Sequence, residues 1–248
     1  MKERPIIMSA ESILALLDDE HPKTQTRRVI ERLRGFGPIT ELGPSDLHLP
    51  GYDWTFHDRE MRWINIRHAM LMERCPYGKV GDRLYVKETW AAVWPDLDPV
   101  PMEQCRIEYR ADLPAGCTDY PGQWPAEEAR GNPDAPKWRS PRFMPRFASR
   151  FLLEITSLRA ERVQSISHED AIAEGMLNAG DFNALTAEAG GVRRRVYHDS
   201  QGRRCTIFGA KAEFADAWDH LNARRGHPWE ASDLVWVIGF RDVTQEAR

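Results

Sequence analysis

Apolar residues recur along the chain with two periods, and each period predicts an element. Pro5, Ile6, Ile7 and Met8 form a short run with the character of a buried strand. Ser9 then offers an N-cap hydroxyl, and Ile13, Leu16 and Leu17 fall on one face of a helix. From Arg83 to Trp90 the pattern alternates, with Leu84, Val86 and Glu88 on one side and Tyr85, Lys87 and Thr89 on the other, which predicts a strand. Glu88 shares the apolar side, so it is expected to meet a cation or a hydroxyl. Residues 151–163 alternate imperfectly, as a long strand with a bulge does. Residues 234–243, centred on Val235, Trp236, Val237 and Ile238, form the most apolar run and predict a central strand.

Two further helices are marked. Ser167 caps a short one whose first turn holds His168, expected to be structural, and Asp170, and which Gly175 ends. Phe214, Ala217, Trp218 and Leu221 make an amphipathic stripe over residues 210–223, read as core. Trp63-Ile64-Asn65-Ile66 and Arg106-Ile107-Glu108-Tyr109 are lesser strand candidates. Between these elements lie stretches rich in Gly and Pro. Residues 35–60 read as a long irregular loop with the character of a lid, and residues 91–140, with Trp94, Trp124 and Trp138, read as an insertion. Residues 176–209 read as another insertion, with a hairpin around Ser200-Gln201-Gly202. The order of elements describes one α+β domain over residues 1–248, a small mixed barrel with short flanking helices.

With 248 residues, 42% hydrophobic and 29% charged, the chain is long enough to bury a real core. No apolar run approaches twenty residues and no signal-peptide core follows Met1, so a cytoplasmic protein without membrane contact is expected. Cys75, Cys105, Cys117 and Cys205 are too scattered for a zinc knuckle, and neither a metal nor another cofactor is expected.

The net charge of −4 does not advertise nucleic acid, but the distribution of arginine does. Arginines gather at residues 27–34, 139–150 and 193–204. The middle group holds Arg139, Arg142, Arg146 and Arg150 with two phenylalanines and no acid, a composition suited to phosphates and stacked bases. Lys23-Thr24-Gln25-Thr26-Arg27-Arg28 packs three cations and two hydroxyls into six residues, just after His21-Pro22. Fully extended, Thr26 and Lys23 lie on opposite faces. They converge only if the chain bends where helix exit becomes strand, and Pro22 favours that bend.

Several blocks together resemble the ASCH family of the PUA-like superfamily, in its larger phage and prophage forms. These are residues 5–10, residues 23–28, Cys75-Pro76-Tyr77-Gly78 with residues 81–90, residues 144–150 and residues 236–240. The family motif Gly-x-Lys-x-x-x-x-Arg falls on Lys23 and Arg28, with His21 where glycine is usual, so His21 is expected to reshape the cleft mouth. The resemblance implies a PUA-like mixed β-barrel whose cleft holds a nucleobase, a nucleotide or a nucleic-acid segment.

Small bacterial ASCH proteins that hydrolyse the amide of N(4)-acetylcytidine use a lysine, a threonine and a glutamate. Lys23 and Thr26 match the first two, with Lys23 as base and Thr26 as nucleophile. The motif leaves the acid open, and Glu88 is the candidate from its inward direction. A ribonuclease-like activity of the same basic cleft is a further alternative. The other reading is a non-catalytic binder of RNA or modified DNA. There Lys23, Arg28, Arg142, Arg146 and Arg150 hold phosphates beside His21, Thr24 and Arg27, and Trp54, Tyr85 or Trp90 stacks a base. An interaction protein that keeps only the fold is the third option.

Overall fold

The structure, a computed structural model, describes residues 1–46, 50–93, 101–113, 120–123, 130–132, 135–176, 194–199 and 201–247. Trp94, Cys117, Trp124, Arg193 and Ser200 lie outside the described residues.

In chain order, β1 (Glu3–Ile7) leads to α1 (Ala10–Leu16), whose first turn is capped by the Ser9 hydroxyl accepting from Ser12 N. The basic turn then feeds β2 (Gln25–Val29). Next come β3 (Arg32–Leu33), β4 (Gly37–Pro38), β5 (Thr40–Pro44), β6 (Trp54–His57), β7 (Trp63–Ile66) and α2 (His68–Glu73). β8 (Arg83–Lys87), β9 (Trp90–Val93) and β10 (Arg106–Tyr109) follow. The second half holds β11 (Leu152–Arg162), α3 (His168–Ala173), β12 (Arg194–His198), β13 (Arg204–Phe208), α4 (Ala210–Asn222) and β14 (Leu234–Asp242).

This is a mixed α+β architecture of several sheets with few helices. The main sheet runs β1-β8-β11-β14-β2, parallel between β1 and β8 and antiparallel elsewhere. Its outer strands β1 and β2 share no ladder, and no closed barrel occurs among the described residues. One side chain spans the gap: Arg28 Nη2 donates to Ile7 O at 2.6 Å.

β14 explains its apolar run. Trp236, Ile238 and Phe240 enter one core with Ile6, Leu84 and Leu153, while Val235 and Val237 enter a second with Phe214, Trp218 and Trp229. Both faces of the strand are therefore buried, and each large side chain contributes about 1.5–3 kcal/mol. The bulge in β11 falls between Ile155 and Ser157. Gly239 opposes it, where an added Cβ would lie 2.3 Å from Ser157 Oγ.

Residues 35–60 differ from the irregular loop expected of their Gly and Pro content. They carry β4, β5 and β6, and β6 pairs with β7. The reason is burial: Phe36, Ile39 and Phe56 pack into the main core, and Phe36 meets Phe56 edge-on at 5.2 Å. β12 and β13 form the expected hairpin, with Gln201-Gly202 between them. No described helix is long and apolar enough to cross a membrane.

Candidate functional site

The basic turn is clamped between two helix ends. Lys23 N donates to Ala15 O at 2.7 Å near the end of α1, and Thr24 N donates to Ala173 O at 2.9 Å at the end of α3. Gly175 makes the second contact feasible. Its φ of +88° ends α3 with Gly175 N on Ile172 O and Met176 N on Ala171 O. A Cβ there would sit 2.5 Å from Ala15 Cβ, so only glycine lets α3 approach α1 this closely.

That approach delivers Glu174 to Lys23. Lys23 Nζ donates to Glu174 O and, at 2.9 Å, to Glu174 Oε2, and both side chains are only 4% exposed. Arg27 extends the network, donating to Glu174 Oε1 at 3.2 Å, Glu161 Oε1 at 2.6 Å and Asp170 Oδ2 at 2.8 Å, with its guanidinium 5.7 Å from the Phe214 ring centre. Arg159 also donates to Asp170, at 2.6 Å. Lys23, Arg27 and Arg159 thus balance Glu174, Glu161 and Asp170. Burial pushes the Lys23 ammonium below the ordinary lysine range, Glu174 opposes that, and Arg28 and Arg27 add to it. Asp170 is held low: burial raises its carboxyl, but the bonds from Arg159 and Arg27 outweigh it.

Thr26 and Arg28 lie on β2 opposite Ile238 and Trp236. Phe240 N bonds Thr24 O and Ile30 N bonds Leu234 O, so the even-numbered residues of β2 face β14. The backbone groups of Arg27 and Val29 therefore point away from β14 at the open edge. Along that edge runs a cleft of about 900 Å³, lined by Lys23, Thr26, Arg27, Arg28 and Glu174 together with residues of β1 and α1. Phe214 and Trp218 from α4 also border the cleft, although the helical stripe reads as core alone, because β2 is an edge strand and covers only part of that face.

The structure brings Lys23, Thr26, Arg27, Arg28 and Arg142 to this cleft and leaves the other expected residues outside it. Glu88 does point inward and does meet a cation: Arg150 grips it with two bonds of 2.9 Å, and Glu88 has a side chain 2% exposed. Burial raises its carboxyl and Arg150 lowers it, the first effect being larger. Arg150 also binds Asp112, and Arg146 binds Glu3 and covers the Tyr85 ring. Trp90 is 1% exposed beneath Arg139, and Trp54, on β6 of the β5-β6-β7 sheet, donates to His68 at the start of α2. His21 and Thr24 are exposed at the turn.

Among the cleft residues that escape sequence reasoning are Glu174 and Tyr77. Glu174 is 151 positions from Lys23, and nothing but its place before the helix-ending Gly175 marks it. Tyr77, in the turn-like block Cys75-Pro76-Tyr77-Gly78, supplies an aromatic ring whose hydroxyl burial pushes up. Among the described residues no three His, Cys, Asp or Glu side chains are placed to hold a metal. No family model, characterised protein or solved structure matches this chain.

Proposed function

We propose that the chain is an ASCH-type, PUA-like open barrel that hydrolyses the amide of an N(4)-acylated cytosine. One observation carries the reading: a buried lysine held on a carboxylate, Lys23 on Glu174, shares a cleft with the threonine three residues later. The barrel reading rests on the outer strands of the main sheet, β1 and β2, meeting through Arg28 and Ile7.

A neutral lysine has two N–H bonds and one lone pair. The N–H bonds go to the two Glu174 oxygens, and the lone pair takes the Thr26 hydroxyl proton as Oγ1 attacks the acyl carbon. The N–H of Arg27, aimed out of the open edge of β2, faces the developing oxyanion. When the intermediate collapses, the carbon–nitrogen bond breaks and the Lys23 ammonium returns the proton to the leaving exocyclic nitrogen. Water, deprotonated by the same amine, then attacks the threonine ester; the acyl carbon–Oγ1 bond breaks, the Lys23 ammonium returns the proton to Oγ1, and the carboxylic acid leaves with Thr26 restored. In this scheme Glu174 is the acid that orients the base, the role the sequence offered to Glu88.

The test is release of acetate and cytidine from N(4)-acetylcytidine, followed by mass spectrometry. Wild type is expected to turn over, and Lys23→Met and Thr26→Val each to lose at least about 100-fold in rate. Turnover that survives Thr26→Val rejects threonine as the nucleophile, and absence of turnover by wild type rejects the reading.

A further inference from the structure

The cations that line the cleft fall into two classes. Lys23 and Arg27 are neutralised by the buried Glu174 and, for Arg27, the part-buried Glu161 and Asp170, and Arg225 lies 3.7 Å from Glu31. Arg28, Lys87 and Arg142 have no carboxylate partner among the described residues. Arg28 spends one nitrogen on Ile7 O, and its buried Nε has no hydrogen-bond partner among the described residues. Lys87 Nζ donates only to Arg142 O, at 2.6 Å, and the Arg142 guanidinium has no partner among the described residues. Burial alone depresses the Lys87 ammonium, as expected of a cation with no acid beside it.

These three groups are tied to one another through the backbone. Arg28 is fastened to Ile7 O, the next residue Met8 donates its N–H to Lys87 O at 3.0 Å, and Lys87 in turn holds Arg142 O. Arg28 also adjoins the Lys23 end, where its charge bears on the Lys23 ammonium. The cleft therefore has a neutralised end, at Lys23 and Glu174, and an uncompensated basic end. Besides Glu174, two carboxylates share its walls: Glu31, engaged by His227 Nε2 at 3.1 Å, and Glu11 in the first turn of α1.

We propose that Arg28, Lys87 and Arg142 form a phosphate subsite, so that the ligand of this cleft is a cytidine phosphate rather than the free nucleoside. Guanidinium forks take two phosphate oxygens at once, and a lysine completes the set as a point charge. The inference rests on the cytosine reading for the base, but the phosphate contact stands apart from the hydrolysis. A terminal phosphate and a phosphodiester present the same oxygens, and the two sources separate by experiment.

Binding of cytidine, cytidine 5′-monophosphate and a cytidine-containing dinucleotide is measured by calorimetry, beside the acetate-release assay. The monophosphate is expected to bind at least about tenfold tighter than cytidine, with a preference that shrinks as salt rises. Arg142→Glu and the double change Lys87→Gln with Arg142→Ala are expected to erase that preference. A dinucleotide that binds as tightly as the monophosphate assigns the subsite to a phosphodiester, and a weaker one to a terminal phosphate. Equal affinity for cytidine and its monophosphate, no measurable binding of either, or a preference that survives both variants overturns the subsite. No acetate release with the preference intact removes the hydrolase reading and leaves the subsite standing.

Discussion

Lys23 Nζ lies 2.9 Å from Glu174 Oε2, and the second carboxylate oxygen is taken by Arg27 at 3.2 Å. The two cations are therefore not equivalent dependants of one acid. Glu174→Ala leaves Arg27 on Glu161 and Asp170 but strands the Lys23 ammonium in a buried place, and is expected to lower stability by about 3–5 kcal/mol. Lys23→Met leaves Glu174 on Arg27 and is expected to lose only about 1–2 kcal/mol. Urea unfolding of the two variants checks the order, and a more damaging Lys23→Met contradicts it.

The same pair sets a pH dependence. Burial holds the Lys23 ammonium below the ordinary lysine range while Glu174 pulls it back up. If the neutral amine is the base, kcat/KM for acyl release rises with pH to a plateau reached before free lysine would titrate. Glu174→Gln removes the group that favours the ammonium, so the rising limb is expected to move to lower pH even as the rate drops. A limb that stays in place, or moves up, shows that another group is titrating.

Much of this was legible because local rules and tertiary packing agree. Ser167 and Gly175 bound α3, the broken alternation of residues 151–163 becomes the β11 bulge, and the inward Glu88 finds Arg150. Trp90, expected to stack a base, was not legible: β8 ends at Lys87, and Trp90 opens β9, where it is buried in a separate cluster with Met144 and Ala148. The acid on Lys23 was not legible. It comes from a helix end brought in by one glycine's close approach to Ala15, a contact 160 positions apart that no period encodes. The strands within residues 35–60 were hidden for a related reason: Phe36, Ile39 and Phe56 are pinned by a core made elsewhere, and tertiary burial overrides the turn-rich composition.

Gly175→Ala probes that close approach. The new methyl meets Ala15 Cβ at 2.5 Å and forces a side chain onto a φ of +88°. Strain and overpacking together are expected to remove about 2–4 kcal/mol and to loosen Glu174 from Lys23. Ala15→Gly in the same chain clears the methyl clash but not the φ strain, so thermal melts are expected to show partial rescue. Full rescue would make the backbone conformation irrelevant, and no rescue would mean that Ala15 is not what the methyl strikes.

Acid stability tests the outer part of the network. The bonds from Arg159 and Arg27 keep Asp170 below its ordinary value of 3.8, so its contribution is complete above that pH and is lost as pH falls through the depressed value. Wild type is expected to lose stability below about pH 3.8 more steeply than Asp170→Asn, which lacks the titration. Parallel curves from urea titrations over that range refute the assignment.

Glu88 and Glu174 offer the sharpest division between support and chemistry. Both are buried carboxylates on cations, but Glu88 faces Arg150 beside Asp112, away from the cleft wall, whereas Glu174 is on that wall against Lys23. Glu88→Gln breaks a charged two-bond contact and is expected to lower stability by about 1.5–3 kcal/mol. Any loss of acyl release should then track the fraction unfolded. Glu174→Gln keeps hydrogen bonding to Lys23 and Arg27 but removes the charge, so its loss of acyl release is expected to exceed anything explained by unfolding. Measuring both rates at a temperature where each variant is fully folded decides the matter, and a larger loss in Glu88→Gln returns the acid role to Glu88.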